Sequence, residues 1–247
     1  MHFLIVNDDG IDSPFLPILT QAVKRAGHRV TVCVPATQQS AKAHAFSIEQ
    51  PILAEKREIP GADEAWAIFG TPVDSCRIGA MNLAPDADAG TSGINLGYNV
   101  GMSVYVSGTV GAAREATFLR KPGIAVSAEK QTPHDTLAYL SDWAVEMAEK
   151  LVTRGAPELT VCNLNAPPIP RAELKSQVLC SLNRAAYRDS YEQRISPRKQ
   201  TYFWLSPMKQ DPPLPGSDQA YLDAGHPTCT FLTIDGQSQE EFADWLK

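Results

Sequence analysis

The sequence contains no apolar run approaching the ~20 residues that a membrane-spanning helix requires, so a helical span is excluded. It has no block of Lys and Arg, and its formal net charge of -6 argues against a broad nucleic-acid surface, since phosphate backbones are held by clustered cations. A small phosphorylated ligand is compatible with that balance, because a bound cation or a helix N-terminus supplies positive potential locally. There is no C-x-x-C pair. Cys33, Cys76, Cys162, Cys180 and Cys229 are odd in number, widely spaced and mostly set in apolar segments, which reads as core filler rather than disulfides or zinc ligands. No G-x-G-x-x-G follows the first apolar run, which disfavours a dinucleotide-binding enzyme. That run starts so near Met1 that it leaves no room for a cleavable leader, and a cytoplasmic location is expected.

With 43% hydrophobic and 20% charged residues over 247 positions, the chain can bury one large α/β core, or a core with an appended arm. The first half alternates strand and helix signals in the βαβ manner. Phe3-Leu4-Ile5-Val6 reads as a buried parallel strand. Ser13 is placed to cap a helix beginning at Pro14, with Leu16, Leu19, Val23 and Ala26 at helical spacing and Gly27 as its end; Pro17 costs that helix an early hydrogen bond or shifts its start. Arg29 to Pro35 is a β-rich run expected beside the first strand, followed by a polar loop from Ala36 to Ser47. Trp66 to Phe69 reads as a strand, then a helix opens with Thr71 as cap, Pro72 in the first turn and Asp74 reaching back. Ile124 to Ser127 is a short buried strand. Asp135 to Arg154 is a helix with the stripe Leu137, Leu140, Ala144, Met147 and Leu151, and Leu159 to Asn163 is the last central strand. Residues 1–165 are thus expected to form the core. Beyond them Pro167, Pro168 and Pro170 break the chain, and 166–247 read as an extension of the same domain. It holds strands at Gln177 to Ser181 and Tyr202 to Leu205 in a β-rich arm, and a Ser238–Glu241 capping box for a C-terminal helix.

Asn7-Asp8-Asp9-Gly10 ends the first strand. Two adjacent carboxylates repel unless a cation or solvent neutralises them, and ligands of open α/β sheets bind beyond the carboxyl ends of the strands. An isolated Asp-Asp-Gly is more often a solvated turn; its place after the first strand favours a metal site. Three further segments, read as loops, are expected at the same edge. Gln38-Gln39-Ser40 offers a hydroxyl ligand that alone would merely stabilise a turn. Ser92-Gly93-Ile94-Asn95, continuing through Gly97, Asn99 and Gly101, offers on Asn95 a carbonyl oxygen suited to a hard cation. In Ser107-Gly108-Thr109-Val110-Gly111-Ala112-Ala113, Ser107 or Thr109 as a helix cap would leave backbone N–H groups facing a phosphate, the plainer use of such small residues being tight helix packing. Asp8, Asp9, Ser40 and Asn95 make an all-oxygen set with two negative charges, appropriate to one divalent cation, Mg2+ or Mn2+, rather than zinc. Joined to an anion-binding helix end, the set points to metal-assisted attack of water on a phosphate ester.

These stretches run in order across most of the chain with Gly27-His28-Arg29-Val30-Thr31-Val32, Gly70-Thr71-Pro72-Val73-Asp74 and Tyr202-Phe203-Trp204. On them the sequence resembles the SurE (stationary-phase survival protein) family of metal-dependent nucleotidases. The resemblance implies a Rossmann-like, mostly parallel sheet flanked by helices, with a C-terminal β-rich arm. It implies metal ligation by Asp8, Asp9, Ser40 and Asn95, phosphate contact by Asn99, Ser107, Gly108 and Thr109, and catalysis at Asp8 and Asp9; sequence leaves open which of the two also orients the attacking water, with Asp9 the preferred one. The substrate it implies is a nucleoside 5'- or 3'-monophosphate, and the assembly a homodimer or homotetramer built by exchange of C-terminal arms. The chain departs from the family in four places. Ala41-Lys42-Ala43-His44 follows Ser40 where a glycine is usual, stiffening the loop and adding Lys42 and His44 as candidates for substrate contact or simple exposure. Met102-Ser103 replaces an acidic pair, Val106 replaces a tyrosine, and Pro85 to Thr91 lacks the usual apolar strand residues.

A phospho-receiver domain also sets acids after its first strand, but it needs a phosphorylatable Asp where the third strand here ends in Gly70-Thr71-Pro72, and it is about half this length. A haloacid-dehalogenase phosphatase would need its nucleophilic Asp at Asn7. A nucleotide-binding protein that has lost turnover is the remaining alternative, separated from an enzyme by phosphate release.

Overall fold

Successive side chains of a strand point to opposite faces of its sheet. In β1 (His2–Val6), Phe3 and Ile5 therefore enter one buried apolar cluster while Leu4 and Val6 enter another. A strand apolar on both sides belongs in the middle of a covered sheet, and β1 lies there in the computed structural model, which describes residues 1–185, 187–188, 190–206 and 209–234.

The elements that follow are α1 (Leu16–Arg25), β2 (Arg29–Pro35), β3 (Ala54–Arg57), β4 (Glu64–Ile68), α2 (Pro72–Ile78), β5 (Ala89–Leu96), α3 (Gly108–Phe118), β6 (Gly123–Ala128), α4 (His134–Arg154) and β7 (Thr160–Ala166). After them come β8 (Val178–Leu179), β9 (Tyr187–Arg188), β10 (Tyr191–Ile195), β11 (Thr201–Leu205), β12 (Lys209–Gln210), α5 (Asp218–Asp223) and β13 (Thr228–Thr233). The main sheet has the order β3-β4-β2-β1-β5-β6-β7-β13-β8. Its strands β4, β2, β1, β5, β6 and β7 are all parallel. Counted among themselves they follow the doubly wound order 3-2-1-4-5-6, with its switch point between β1 and β5. The fold is Rossmann-like. Helices α1 and α4 pack together over one face, on Phe3, Ile5, Val32 and Ile124, while α2 and α3 cover the other, on Leu4, Val6 and Cys33.

The sheet extends past the strand expected to be last: β13 pairs antiparallel with β7, and β8 joins β13. Helix α1 begins at Leu16 rather than Pro14, because Ser13 is spent in a turn, its N–H donating to Gly10 and its carbonyl accepting from Leu16. Its hydroxyl caps nothing, and Pro17 falls in the first turn, where a missing N–H is harmless. The Thr71–Asp74 capping box forms as expected. Strand β5 was hidden by its Gly, Ser and Thr content. Those residues are small because Gly90 lies under Ala116 of α3, where a Cβ would come within 2.6 Å of the alanine methyl. All five cysteines are free, and Cys33, Cys76, Cys162 and Cys229 are buried. Among the described residues no helix is long and apolar enough to cross a membrane. Beyond the sheet, β10 and β11 form an antiparallel hairpin, and β9 pairs with β12. The Ser238–Glu241 capping box lies outside the described residues.

Candidate active site

The chain leaves β1 through a turn that the Asn7 side chain closes on Gly10, donating to its carbonyl and accepting from its N–H, both at 3.0 Å. Gly10 has φ +91° and runs so close to Thr37 and Gln38 that a Cβ would meet their backbone at 3.0–3.2 Å. This turn presents Asp8 and Asp9 at the carboxyl edge of the sheet, beside the β1/β5 switch point.

Asp8 is 4% exposed. The Thr109 hydroxyl donates to its Oδ1, and Gly108, the first residue of α3, lies so near that a Cβ there would stand 2.8 Å from the Asp8 Cβ. Burial pushes the Asp8 carboxyl up to about 6; hydrogen bonding from Thr109 opposes the rise and the charge of Asp9 adds to it. Asp9 is half-buried. Its Oδ2 accepts from the Leu96 N–H at 2.9 Å at the end of β5, and burial raises its pKa too.

The other expected ligands converge on this edge. The Gln39 N–H donates to the Asp8 carbonyl at 2.7 Å, which brings the exposed Ser40 into the site's rim. Asn95 lies within β5 rather than in a loop, and its amide nitrogen donates to Gly97 at 2.8 Å, leaving the carbonyl oxygen as the group able to meet a cation. Among the described residues neither aspartate is in an ion pair, and no group of three or more His, Cys, Asp or Glu is placed to hold a metal. Two desolvated, uncompensated carboxylates beside neutral oxygens fit a hard divalent ion.

Ser107 caps α3, its hydroxyl accepting from the Val110 N–H at 3.1 Å. The first turn of an eleven-residue helix thus faces Asp8, and its amides are anion donors. Asn99 is buried behind them. Its amide donates to Ser127 at 2.8 Å, its N–H to Asn165 at 2.9 Å, and its carbonyl accepts from Asn163 and Asn165. Asn163 and Asn165 are supporting residues that sequence reading missed, although two asparagines at alternate positions of an apolar strand were a usable signal. Asp218 was also missed. Fully buried, it accepts from the backbone of Gly101 and Asn183 at 2.8 Å each and ties the 3-10 turn Gly101–Tyr105 to the segment after β8.

Lys42 is exposed; His44 is not simply so. Its Nε2 meets Glu115 at 2.7 Å and its ring stacks on Phe118, while Arg77 meets the other Glu115 oxygen at 2.6 Å. Glu115, 2% exposed, so clamps the loop that carries Ser40 onto α3. His44 is engaged with the protein itself rather than open to a substrate.

Comparison with known proteins agrees with this geometry. The family described as Survival protein SurE matches residues 3–189. A relative from Maridesulfovibrio salexigens named 5'-nucleotidase SurE is 36% identical over 245 residues, covering 98% of this chain and 97% of its own length. Another of that name, from Gloeobacter violaceus, is 39% identical over 210 residues, 83% of this chain and 79% of the relative. The solved SurE protein from Aquifex aeolicus superposes with a TM-score of 0.82 at 27% identity, over 99% of this chain and 98% of that one. On the family match, the relatives and the shared fold, the chain belongs to the SurE family.

Proposed function

We propose that the protein is a divalent-metal-dependent phosphatase that hydrolyses nucleoside 5'- and 3'-monophosphates to nucleoside and inorganic phosphate. The observation that carries this reading is the pair Asp8 and Asp9, desolvated and uncompensated, set against the N-terminus of α3 at the switch point of the sheet. The relatives named 5'-nucleotidase SurE support the 5'-monophosphates as substrates; the 3'-monophosphates are this reading's extension.

In this reading Asp8, Asp9, Ser40 and Asn95 hold one Mg2+ or Mn2+, which when bound polarises the phosphoryl oxygens and lowers the pKa of water at the site. Gly108 and Thr109 offer backbone N–H groups, and Ser107 and Asn99 side chains, to the phosphate. Thr109 also fixes Asp8 through its hydroxyl. Asp9 accepts the Leu96 N–H at Oδ2 and, as the more exposed of the two carboxylates, is the one this reading assigns to orienting the attacking water. Asn99, held by Ser127 and Asn165, is buried behind the helix end.

The same reading makes the protein a homodimer or homotetramer. Tyr191, Ile195, Phe203 and Trp204 of the β10–β11 hairpin are each 59–69% exposed, an apolar surface that another copy of the arm would cover.

The test is phosphate release by metal-stripped protein from a panel of nucleoside 5'- and 3'-monophosphates, with Mn2+, Mg2+ or no metal restored, alongside Asp8→Asn. Turnover that needs the metal and is lost in the variant is expected. Metal-independent turnover, or an active variant, would remove the reading.

A further inference from the structure

A cavity of about 490 Å3 lies on the outer side of the 3-10 turn Gly101–Tyr105, between α3, β13 and the segment after β8. Its walls include Tyr105 together with Val104, Leu182 and Leu232, which belong to or pack against the apolar cluster that α3 builds with Val110 and Ala113. Two cations line it, Arg114 from α3 and Arg184, and among the described residues no Asp or Glu does.

Arg114 is the unusual group. It is half-buried, its Nε is inaccessible to water, and that atom has no hydrogen-bond partner. Among the described residues it forms no ion pair, and Arg184 forms none either. Desolvation lowers the Arg114 pKa, opposed only by Tyr105. Asp218 acts on Cys180 at the cavity's edge, but it is fully buried and its oxygens accept from the N–H groups of Gly101, Asn183 and Gln219. A half-buried guanidinium without a counter-charge is destabilising. A buried polar atom left unpaired calls for a partner.

We propose that this cavity is a binding site, separate from the Asp8–Asp9 site, for an organic anion with an apolar or aromatic body: the phosphate, sulfonate or carboxylate group pairs with Arg114 and Arg184, and the body lies on Val104, Leu182 and Leu232. The volume falls in the range that holds nucleotide-sized or smaller ligands. A guanidinium fork matches a two-oxygen anion face, so the head group is held in a fixed orientation. The turn that forms one wall leads through Val106 into Ser107, the cap of α3, so an occupant rests against the element that shapes the phosphate edge. The inference stands on the cavity and its unpaired arginines and does not depend on the nucleotidase reading.

The probes are naphthalene-1-sulfonate, AMP and inorganic phosphate, titrated calorimetrically into metal-free protein. Naphthalene-1-sulfonate is expected to bind wild type with one site per chain. Arg114→Met is expected to weaken it about tenfold or more, Arg184→Ala to weaken it less, and Arg114→Lys to recover part of the loss. Asp8→Asn should bind as wild type does, which separates the cavity from the acidic site. AMP competing with the sulfonate would place nucleotides among the ligands; phosphate alone should compete weakly, lacking the apolar body. Ligand-free Arg114→Met should also melt higher than wild type, since it removes an unpaired buried charge. Equal affinity in wild type, Arg114→Met and Arg184→Ala, or no binding at millimolar probe, would overturn the proposal. So would a change of oligomeric state in Arg114→Met, because the wall would then be a contact between copies.

Discussion

Asp8→Asn is expected to stabilise the metal-free protein while abolishing its activity. A carboxyl whose folded pKa is raised holds its proton more tightly folded than unfolded. The metal-free protein is therefore at its most stable, as far as Asp8 is concerned, below the ordinary value of 3.8, and loses that stability as pH rises through about 6. The difference between those values is worth about 3 kcal/mol at about 1.4 kcal/mol per pKa unit. The group is 4% exposed, so solvent screening removes little of it. The amide that replaces the carboxyl cannot ionise and retains an oxygen able to accept from Thr109. Urea unfolding of both proteins in chelator, at intervals between pH 4 and 8, isolates the effect as the difference between the two curves. That difference should be small at pH 4 and should grow to about 2–3 kcal/mol in favour of the variant by pH 7. Restoring Mn2+ should raise wild-type stability and leave Asp8→Asn where it was. Parallel pH curves, or a variant less stable at pH 7, would refute the claim that Asp8 sits ionised at a cost.

Four further outcomes are expected. Glu115→Gln leaves Arg77 and His44 without their shared counter-charge and should lose about 2 kcal/mol of stability; with the Ser40 loop released, Mn2+ affinity measured by calorimetry should fall as well, and unchanged affinity would mean that the clamp does not reach the site. Gly108→Ala drives a methyl to 2.8 Å from the Asp8 Cβ, so activity should drop sharply while circular dichroism stays native; full activity would show that the contact relaxes freely. A Phe203→Ser, Trp204→Ser pair on the exposed hairpin should shift sedimentation toward a single copy without unfolding the core, and an unaltered sedimentation profile would argue against arm exchange. Ala41→Gly, at a residue with φ +59°, relieves about 1–2 kcal/mol of left-handed strain against about 0.5–1 kcal/mol of added chain entropy, so urea titration should find it neutral to slightly more stable.

The parts of this molecule that were legible in the sequence are those whose signal is local. Phe3-Leu4-Ile5-Val6, Arg29 to Pro35 and the stripe of α4 each carry their own periodicity, and Thr71 to Asp74 carries its own capping chemistry, so all four appear where expected. The adjacent acids were legible for the same reason. Strand β5 was not, because what makes Ala89–Leu96 a strand is its neighbours: β1 and β6 pair with it on both edges, and α3 demands small residues above Gly90. The late strand β13 was likewise hidden, since it returns to pair with β7 across more than sixty intervening residues. Ser13 misled because one hydroxyl before a proline has the look of a cap, while its backbone was already claimed by the Gly10 turn.

The loop after Ser40 shows how such long-range terms bear on a site. Ala41 and Ala43 both take positive φ, 59° and 50°, in the segment where the family usually has a glycine. Alanine in that region is strained, and a strained segment persists only if its surroundings hold it. Here they hold it at five points: the Gln39 N–H on Asp8, the Ala43 N–H on Val106, His44 on Glu115, the Ala45 carbonyl on Thr71, and Ser47 on Asp74. Gly111 of α3 admits the Ala43 carbonyl where any side chain would collide with it. Two of those anchors, Val106 and Glu115, lie on α3 or just before its cap, as does Gly111, and Thr109 of the same helix holds Asp8. One helix therefore positions both the acid at the end of β1 and the hydroxyl loop opposite it. The residues following Ser40 are thus free to depart from glycine without moving the edge at which Ser40 stands.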